Sequence, residues 1–149
     1  MKTPIIFVSI LLFSILLVGC ASTADAVRSK HEGTTQVYDI SPEQAWSVAK
    51  TVMQWEGATE IEEHKEQNYI TASVGMTAVS WGAVVAVWVE TFGKEYSKVT
   101  VVTKRRMQTN IFTSQTEGSF QERFAQAVDI LKSGKPLPSS PPGTTQTDK

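Results

Sequence analysis

The stretch Ala78-Val79-Ser80-Trp81-Gly82-Ala83-Val84-Val85-Ala86-Val87-Trp88-Val89-Glu90-Thr91-Phe92 carries no charge before Glu90 and is dominated by β-branched and aromatic side chains. Such residues suit a pleated surface, and the run is too short to cross a bilayer as a helix, so it reads as a strand. Alternation places Trp81, Ala83, Val85, Val87 and Val89 on one face and Gly82, Val84, Ala86 and Trp88 on the other. Both faces are apolar. A sheet covered by helices on one side only should show a polar second face. Either this strand is central and covered on both sides, with a loop or the N-terminal tether over the second, or the Val84, Ala86, Trp88 face is exposed and is a candidate interface awaiting a partner.

The flanks supply the neighbouring strands. Tyr69 to Val74 alternates, with Ile70, Ala72 and Val74 inward, and Gly75-Met76 marks a turn or bulge before the long strand. Upstream, Thr59 to Glu66 is acidic around the single apolar Ile61, an exposed strand kept from wrong pairing by charge. Gln67-Asn68 is the tight turn that joins the two into a hairpin. Downstream, Gly93 to Tyr96 turns the chain into Lys98 to Arg106, with Val99 and Val101 on one side and Val102 on the other; the hairpin registers stay open. Met107 to Gly118 is a polar connection interrupted by Ile111 and Phe112, which extend the strand or tuck into the core.

Two helices bracket these strands. After a first strand over Gln36 to Ile40, Ser41-Pro42-Glu43-Gln44 predicts a helix start, with Ser41 as N-cap, Pro42 at the first helical position and Gln44 closing a capping box. Ala45, Trp46, Ala49, Val52 and Met53 then form one apolar stripe, and Gly57 ends the helix beyond Trp55. Ser119-Phe120-Gln121-Glu122 repeats the capping pattern, followed by an amphipathic helix through Phe120, Phe124, Ala127, Val128 and Leu131. Gly134, Pro136 and Pro138 prevent its restart, and residues 134–149 read as a disordered tail. The expected architecture is α+β: an antiparallel curled sheet of four or five strands, two helices packed on one face, order β-α-β-β-β-β-α, over residues 36–133.

The N-terminus carries the address. Lys2 precedes an apolar run from Ile5 to Val18, the layout of a secretory signal over residues 1–19. Leu17, Val18, Gly19 and Cys20 resemble the lipobox of bacterial lipoproteins, in which the cysteine thiol is alkylated by a diacylglyceryl group and the chain is cut before it. That resemblance implies lipidation of Cys20, with a palmitate-like acyl load durable enough to anchor the protein. Ala21, rather than aspartate, implies by the same resemblance the inner leaflet of an outer membrane, facing the periplasm. Residues 20–35, small and polar without a period, read as a tether from acylated Cys20 to the domain.

Tyr38-Asp39-Ile40-Ser41-Pro42-Glu43 leading to Trp46, the glycine at 57 and Ser80-Trp81-Gly82 resemble small exported bacterial lipoprotein families of unknown function, over roughly Val37 to Leu131. The fold bears a looser likeness to helix-grip domains in lipoproteins of the outer-membrane barrel assembly machinery. Neither resemblance implies a chemistry.

Composition narrows the function. The chain has a net charge of −1, and loss of Lys2 with the signal leaves −2, so nothing draws in nucleic acid. One cysteine among 149 residues permits no intrachain disulfide. With His31 in the tether and Cys20 acylated, no nucleophile–base pair presents itself, and the chain does not read as an enzyme. Glu62, His64 and Glu66 share a strand face and could ligate a metal, but a trio beside a turn reads better as a solvated edge, so no metal and no cofactor is expected. Lys104-Arg105-Arg106 could meet lipid head groups, complement the acidic strand, or simply be a solvated strand end. The leading expectation is a membrane-tethered, non-catalytic binding or scaffold module that contacts an envelope protein or itself through Val84, Ala86 and Trp88. The alternatives are carriage or sensing of a small hydrophobic ligand near Trp46, Trp55 and Trp81 and, last, a carboxylate-dependent hydrolase.

Overall fold

Long alternating strands joined by short turns pair with their sequence neighbours, and here they build one antiparallel sheet in the order β1-β5-β4-β3-β2. A computed structural model describes residues 22–77, 80–106 and 117–143, with the backbone alone at 76, 77, 80 and 81. In chain order the elements are α1 (Thr23–Arg28), a 3-10 turn (Lys30–Glu32), β1 (Thr34–Tyr38), α2 (Pro42–Trp55), β2 (Thr59–His64), a second 3-10 turn (Lys65–Gln67), β3 (Tyr69–Thr77), β4 (Ser80–Phe92), β5 (Tyr96–Arg105) and α3 (Glu117–Lys132). The α+β class holds, while the order differs from the expected β-α-β-β-β-β-α by one helix before the first strand. The expectations for the signal, for the lipobox Leu17, Val18 and Gly19, for Cys20, for Ile111 and Phe112, and for residues 144–149 lie outside the described residues.

Helix α2 forms as its sequence demands. Ser41 Oγ accepts from the Gln44 amide while Gln44 Oε1 accepts from the Ser41 amide, a reciprocal capping box with Pro42 following. Its stripe of Ala45, Val48, Ala49, Val52 and Met53 is fully buried. Gly57, at φ 74°, supplies the left-handed residue just past its end. Together with Phe120, Phe124, Ala127 and Val128 of α3, these residues cover the sheet face made of Ile70, Ala72, Val85, Val87, Val99 and Val101. The inward and outward assignments along β3, β4 and β5 are as the alternation required, except that the side chain of Trp81 lies outside the described residues.

Several boundaries move. Strand β1 begins at Thr34 rather than Gln36 and ends at Tyr38, because Thr34 already pairs with Val101. Strand β3 does not turn at Gly75-Met76 but runs on to Thr77; Gly75 (φ 65°) and Gly82 (φ 69°) fall opposite one another in the β3–β4 register, so both strands bend at one level without a slip. Helix α3 includes Glu117, which places Ser119 inside its first turn rather than at the cap. Glu117 is held there because its carboxylate accepts from the Thr103 amide at 3.0 Å and the Thr34 hydroxyl at 2.9 Å. The stretch after α3 is not wholly a free tail: Leu137 packs on the core, and Trp55 Nε1 donates to the Pro138 carbonyl at 2.9 Å.

The largest correction concerns the segment read as a tether. Residues 22–33 fold as a strap across the second face of the sheet. Ser22 caps α1, its hydroxyl accepting from the Asp25 amide while Asp25 Oδ2 accepts at 2.8 Å from the Ser22 amide. Ala26 is fully buried against Val84, Ala86, Trp88 and Val102, with Val27 and Tyr69 packed alongside. The helices are therefore not confined to one face, and β4 is central and covered on both sides.

Gly33 lets the strap lie this close. Its backbone is ordinary (φ −74°, ψ 157°), but a Cβ there would stand 2.6 Å from the Val101 carbonyl oxygen and 2.7 Å from Val102 Cγ2. Gly33→Ala is expected to cost roughly 1–3 kcal/mol and to lift the strap while α2 and α3 stay packed. Hydrogen exchange should show faster exchange confined to residues 22–33; an unchanged pattern would contradict this account.

Candidate functional site

The apolar strand face singled out from the sequence exists, but in the folded chain it is occupied. Val84, Ala86 and Trp88 are 1 %, 0 % and 4 % exposed, so they form no free interface while the strap is docked. Of the two alternatives the sequence left open, the covered face holds: the segment read as a tether supplies the cover, through a helix of six residues too short to show a period.

Four side chains form a row across this face at one level of the sheet. Register places His64 opposite Tyr69 and Tyr69 opposite Trp88. The His64 and Tyr69 rings stack at 4.4 Å, Tyr69 and Trp88 are tilted at 5.9 Å, and the Lys30 ammonium of the strap sits 5.6 Å from the Trp88 ring centroid. A cation over an indole face is attracted by the ring quadrupole. Asn68, in the left-handed conformation at φ 58°, makes the turn that brings His64 onto Tyr69.

Around this row the strap is fastened by charge. Lys30 Nζ lies 2.9 Å from Glu90 Oε1, and Lys98 Nζ approaches Oε2 of the same carboxylate at 3.0 Å. Lys104 pairs with Glu32. The basic run at the end of β5 is thus divided: Lys104 holds the strap, Arg106 Nη2 donates to Ser73 Oγ at 2.6 Å, and Arg105 remains exposed. The Ser73 hydroxyl donates in turn to Glu60 Oε2 at 3.2 Å, so Arg106 does complement the acidic strand, through one intervening side chain.

The strap covers Val84, Ala86, Trp88 and Val102 with few apolar side chains of its own. It buries one alanine fully and one valine in part. Each buried methyl or methylene group is worth about 0.8 kcal/mol, and partly exposed ion pairs add roughly 0–1 kcal/mol each. Those sums suit local opening well below the cost of global unfolding.

Acid should open it. Partial burial pushes the Glu90 carboxyl up, but the hydrogen bonds from Lys30 and Lys98 outweigh burial and hold it below the ordinary 4.5. The Lys104 hydrogen bond likewise lowers Glu32. A depressed carboxylate contributes stability that is complete above its unfolded value and is lost as pH falls through its folded value. Strap docking is therefore expected to weaken below about pH 4. Trp88 emission should shift to the red in that range, and Glu90→Gln should produce the shift already at neutral pH; a Glu90→Gln chain with unchanged emission would count against the fastening.

Two further clusters lie on the helical side. Glu63 accepts from Trp46 Nε1 at 2.7 Å and from Lys50, and the Lys50 and Trp46 hydrogen bonds hold its carboxyl low. These three line an open groove of about 400 Å³ with Glu43, Gln54 and Lys65. Trp46 is therefore a clamp from α2 to β2, half on the surface rather than wholly core. Second, Glu56 beside the end of α2 is 9 % exposed and sits 2.8 Å from Arg123 Nε of α3. Burial raises its carboxyl against the pull of Arg123. This carboxylate, held by a guanidinium, ties the two helices together.

The remaining sequence candidates are apart from one another. His31 is exposed and 3.7 Å from Glu32. His64 lies 3.7 Å from Glu62 and is occupied by Tyr69, and among the described residues no group of three His, Cys, Asp or Glu side chains is placed to hold a metal ion. No helix among the described residues is long and apolar enough to cross a membrane. Lys30, Tyr69 and Glu90 were missed from sequence; Ser22 and Asp25, three apart, were the available signal that a helix begins there.

Compared with known proteins, the chain matches no protein-family model and no curated protein.

Proposed function

We propose that this protein is an envelope lipoprotein, a non-catalytic binding or scaffold module held at the inner leaflet of an outer membrane by acyl chains on Cys20. The observation that carries the reading is the position of Ser22. The first described residue, it already caps α1 two positions after the cysteine of a lipobox-like stretch. Two residues span at most about 7 Å. The anchor is then fixed almost directly to the strap, and the domain rides at the bilayer surface rather than on a long tether.

In this reading the apolar strand face binds a partner by exchange. An envelope protein takes the place of the strap over Val84, Ala86 and Trp88, and the strap otherwise keeps that face from non-specific contact.

Two measurements test the reading. Intact-mass analysis of the exported protein should find a mature chain that begins at Cys20 and carries diacylglycerol, and Cys20→Ala should accumulate as an uncleaved, unlipidated precursor. A mature chain with a different first residue or a free thiol would overturn the anchoring. For the exchange, a photo-crosslinking residue at position 88 should give a discrete protein adduct whose yield rises in the Gly33→Ala background. Absence of any adduct in both backgrounds would remove the face as a binding surface.

A further inference from the structure

The two edges of the sheet are treated differently by the sequence. At β2 the free edge is guarded: its register with β3 shifts between Thr59 and Glu62, Glu60 takes a left-handed φ of 53°, and Glu60, Glu62 and Glu63 are exposed along it. A bulge and a row of charges are the devices that keep an edge strand from pairing with another chain. At β1 these devices are absent. Thr34-Thr35-Gln36-Val37-Tyr38 has no charge and no proline, keeps an unbroken register with β5, and exposes four of its five residues.

Beside this edge lie the three exposed large apolar side chains of the described residues: Val37 at 47 %, Phe92 at 52 % and Tyr96 at 46 %. They share one corner and one face. Phe92 pairs with Tyr96 at the end of the β4–β5 hairpin, and Val37 pairs with Lys98, two residues along β5 from Tyr96. The corner lies at the opposite end of β5 from Lys104.

We propose that β1 is a self-association edge, on which a second copy of this chain pairs antiparallel about a two-fold axis at Gln36. In that register Thr35 of each copy lies opposite Val37 of the other, and Thr34 lies opposite Tyr38. The strand suits its own copy because nothing charged meets itself across the axis, and the nearest cation, Lys98, is already held by Glu90. A foreign strand would be selected by charge or by pockets for alternate side chains, and this edge presents neither. Closed two-fold pairing also leaves no further β1 edge, so assembly stops at the dimer. Five residues make a small contact, and confinement to a membrane raises the effective concentration that it works against. The pairing itself does not depend on the anchor.

The test is disulfide trapping in the full-length chain, purified in detergent and oxidised. Residues facing each other across antiparallel strands have Cα atoms about 4.5–5.5 Å apart, within reach of a disulfide. Gln36→Cys should give a dimer on non-reducing gels at least tenfold faster than Glu62→Cys on the guarded edge. Adding Val37→Glu, an exposed position opposite Lys98 where a carboxylate leaves β1 paired with β5, should suppress it by bringing two carboxylates near the axis. Trapping no faster than at position 62, with circular dichroism unchanged, would overturn the proposal, as would a Gln36→Cys adduct to a different protein. A dimer in the unsubstituted chain would report a free Cys20 thiol. That result fails the anchoring reading alone, and the edge is then judged by Gln36→Cys in a Cys20→Ser background.

Discussion

Trp88→Ala is expected to lower the unfolding free energy by about 3–5 kcal/mol, the range for removing a large aromatic side chain from a packed site. The size follows from where the ring sits. Trp88 is 4 % exposed at the centre of the second face, between the Tyr69 ring and the strap, with Ala26 and Val102 in the same cluster and Lys30 over its face. Its neighbours on β4 and β5 are fixed by backbone pairing and cannot collapse into the vacated volume, and the alanine left at 88 takes the largest of the side chains under Ala26 and the ring beneath Lys30 away from the strap. Two losses therefore coincide: a cavity forms, and the strap loses its main support. Urea unfolding should show the drop in midpoint, and limited proteolysis should cut within residues 22–33 before any other site. Trp46→Ala serves as the comparison. That indole is half-exposed and makes one hydrogen bond to Glu63, so its loss should cost well under half as much. Equal costs at the two positions would mean that the strap contributes no cover to Trp88.

The different treatment of these two tryptophans shows what a sequence makes legible. Faces of β4 could be read because alternation is a local property: once residues 80–92 are a strand, Val85 and Val87 must oppose Val84 and Ala86. Helix α2 could be read because Ser41, Pro42 and Gln44 state its start in adjacent letters. What covers Val84, Ala86 and Trp88 is not local. Ala26 carries that contact, and one buried alanine in a stretch of Ser, Thr, Asp, Arg and Lys has the composition of a linker. Gly33 likewise resembles a flexible joint and is in fact required for its lack of a side chain against the Val101 carbonyl. The aromatic row needed the register of two hairpins, which the sequence left open, and it depends on Asn68 turning left-handed at one position.

Gln121 was the hardest to see, and its replacement by methionine is expected to cost about 2–4 kcal/mol, since several buried polar groups each lose a partner worth roughly 1–3 kcal/mol. From sequence Gln121 belongs to an exposed capping pattern. In the fold it is 2 % exposed and joins α3 to two strands. Its Nε2 donates to the Thr34 carbonyl at 3.1 Å and to the Val99 carbonyl at 3.3 Å, while its Oε1 accepts from the Tyr38 hydroxyl at 2.7 Å. Burial pushes that phenol up to about 12, so it stays a neutral donor throughout the working range of pH. Methionine keeps the volume and removes both functions, leaving the phenol to Gln36 Oε1, 2.9 Å away at the strand surface, and to the Gln121 backbone carbonyl at 3.2 Å. Tyr38→Phe should cost less, about 1–2 kcal/mol, because the amide retains its two carbonyl contacts. The double variant should fall short of the sum by about 1 kcal/mol, the coupling expected of side chains in one hydrogen-bond network. Strict additivity in urea unfolding would show that the two do not act through their shared bond. Because the same amide anchors the first residue of β1, Gln121→Met should also loosen hydrogen exchange along Thr34 to Tyr38 and slow trapping through Gln36→Cys. Loss of global stability with an unaltered β1 would instead place the whole effect in the packing of α3 against the core.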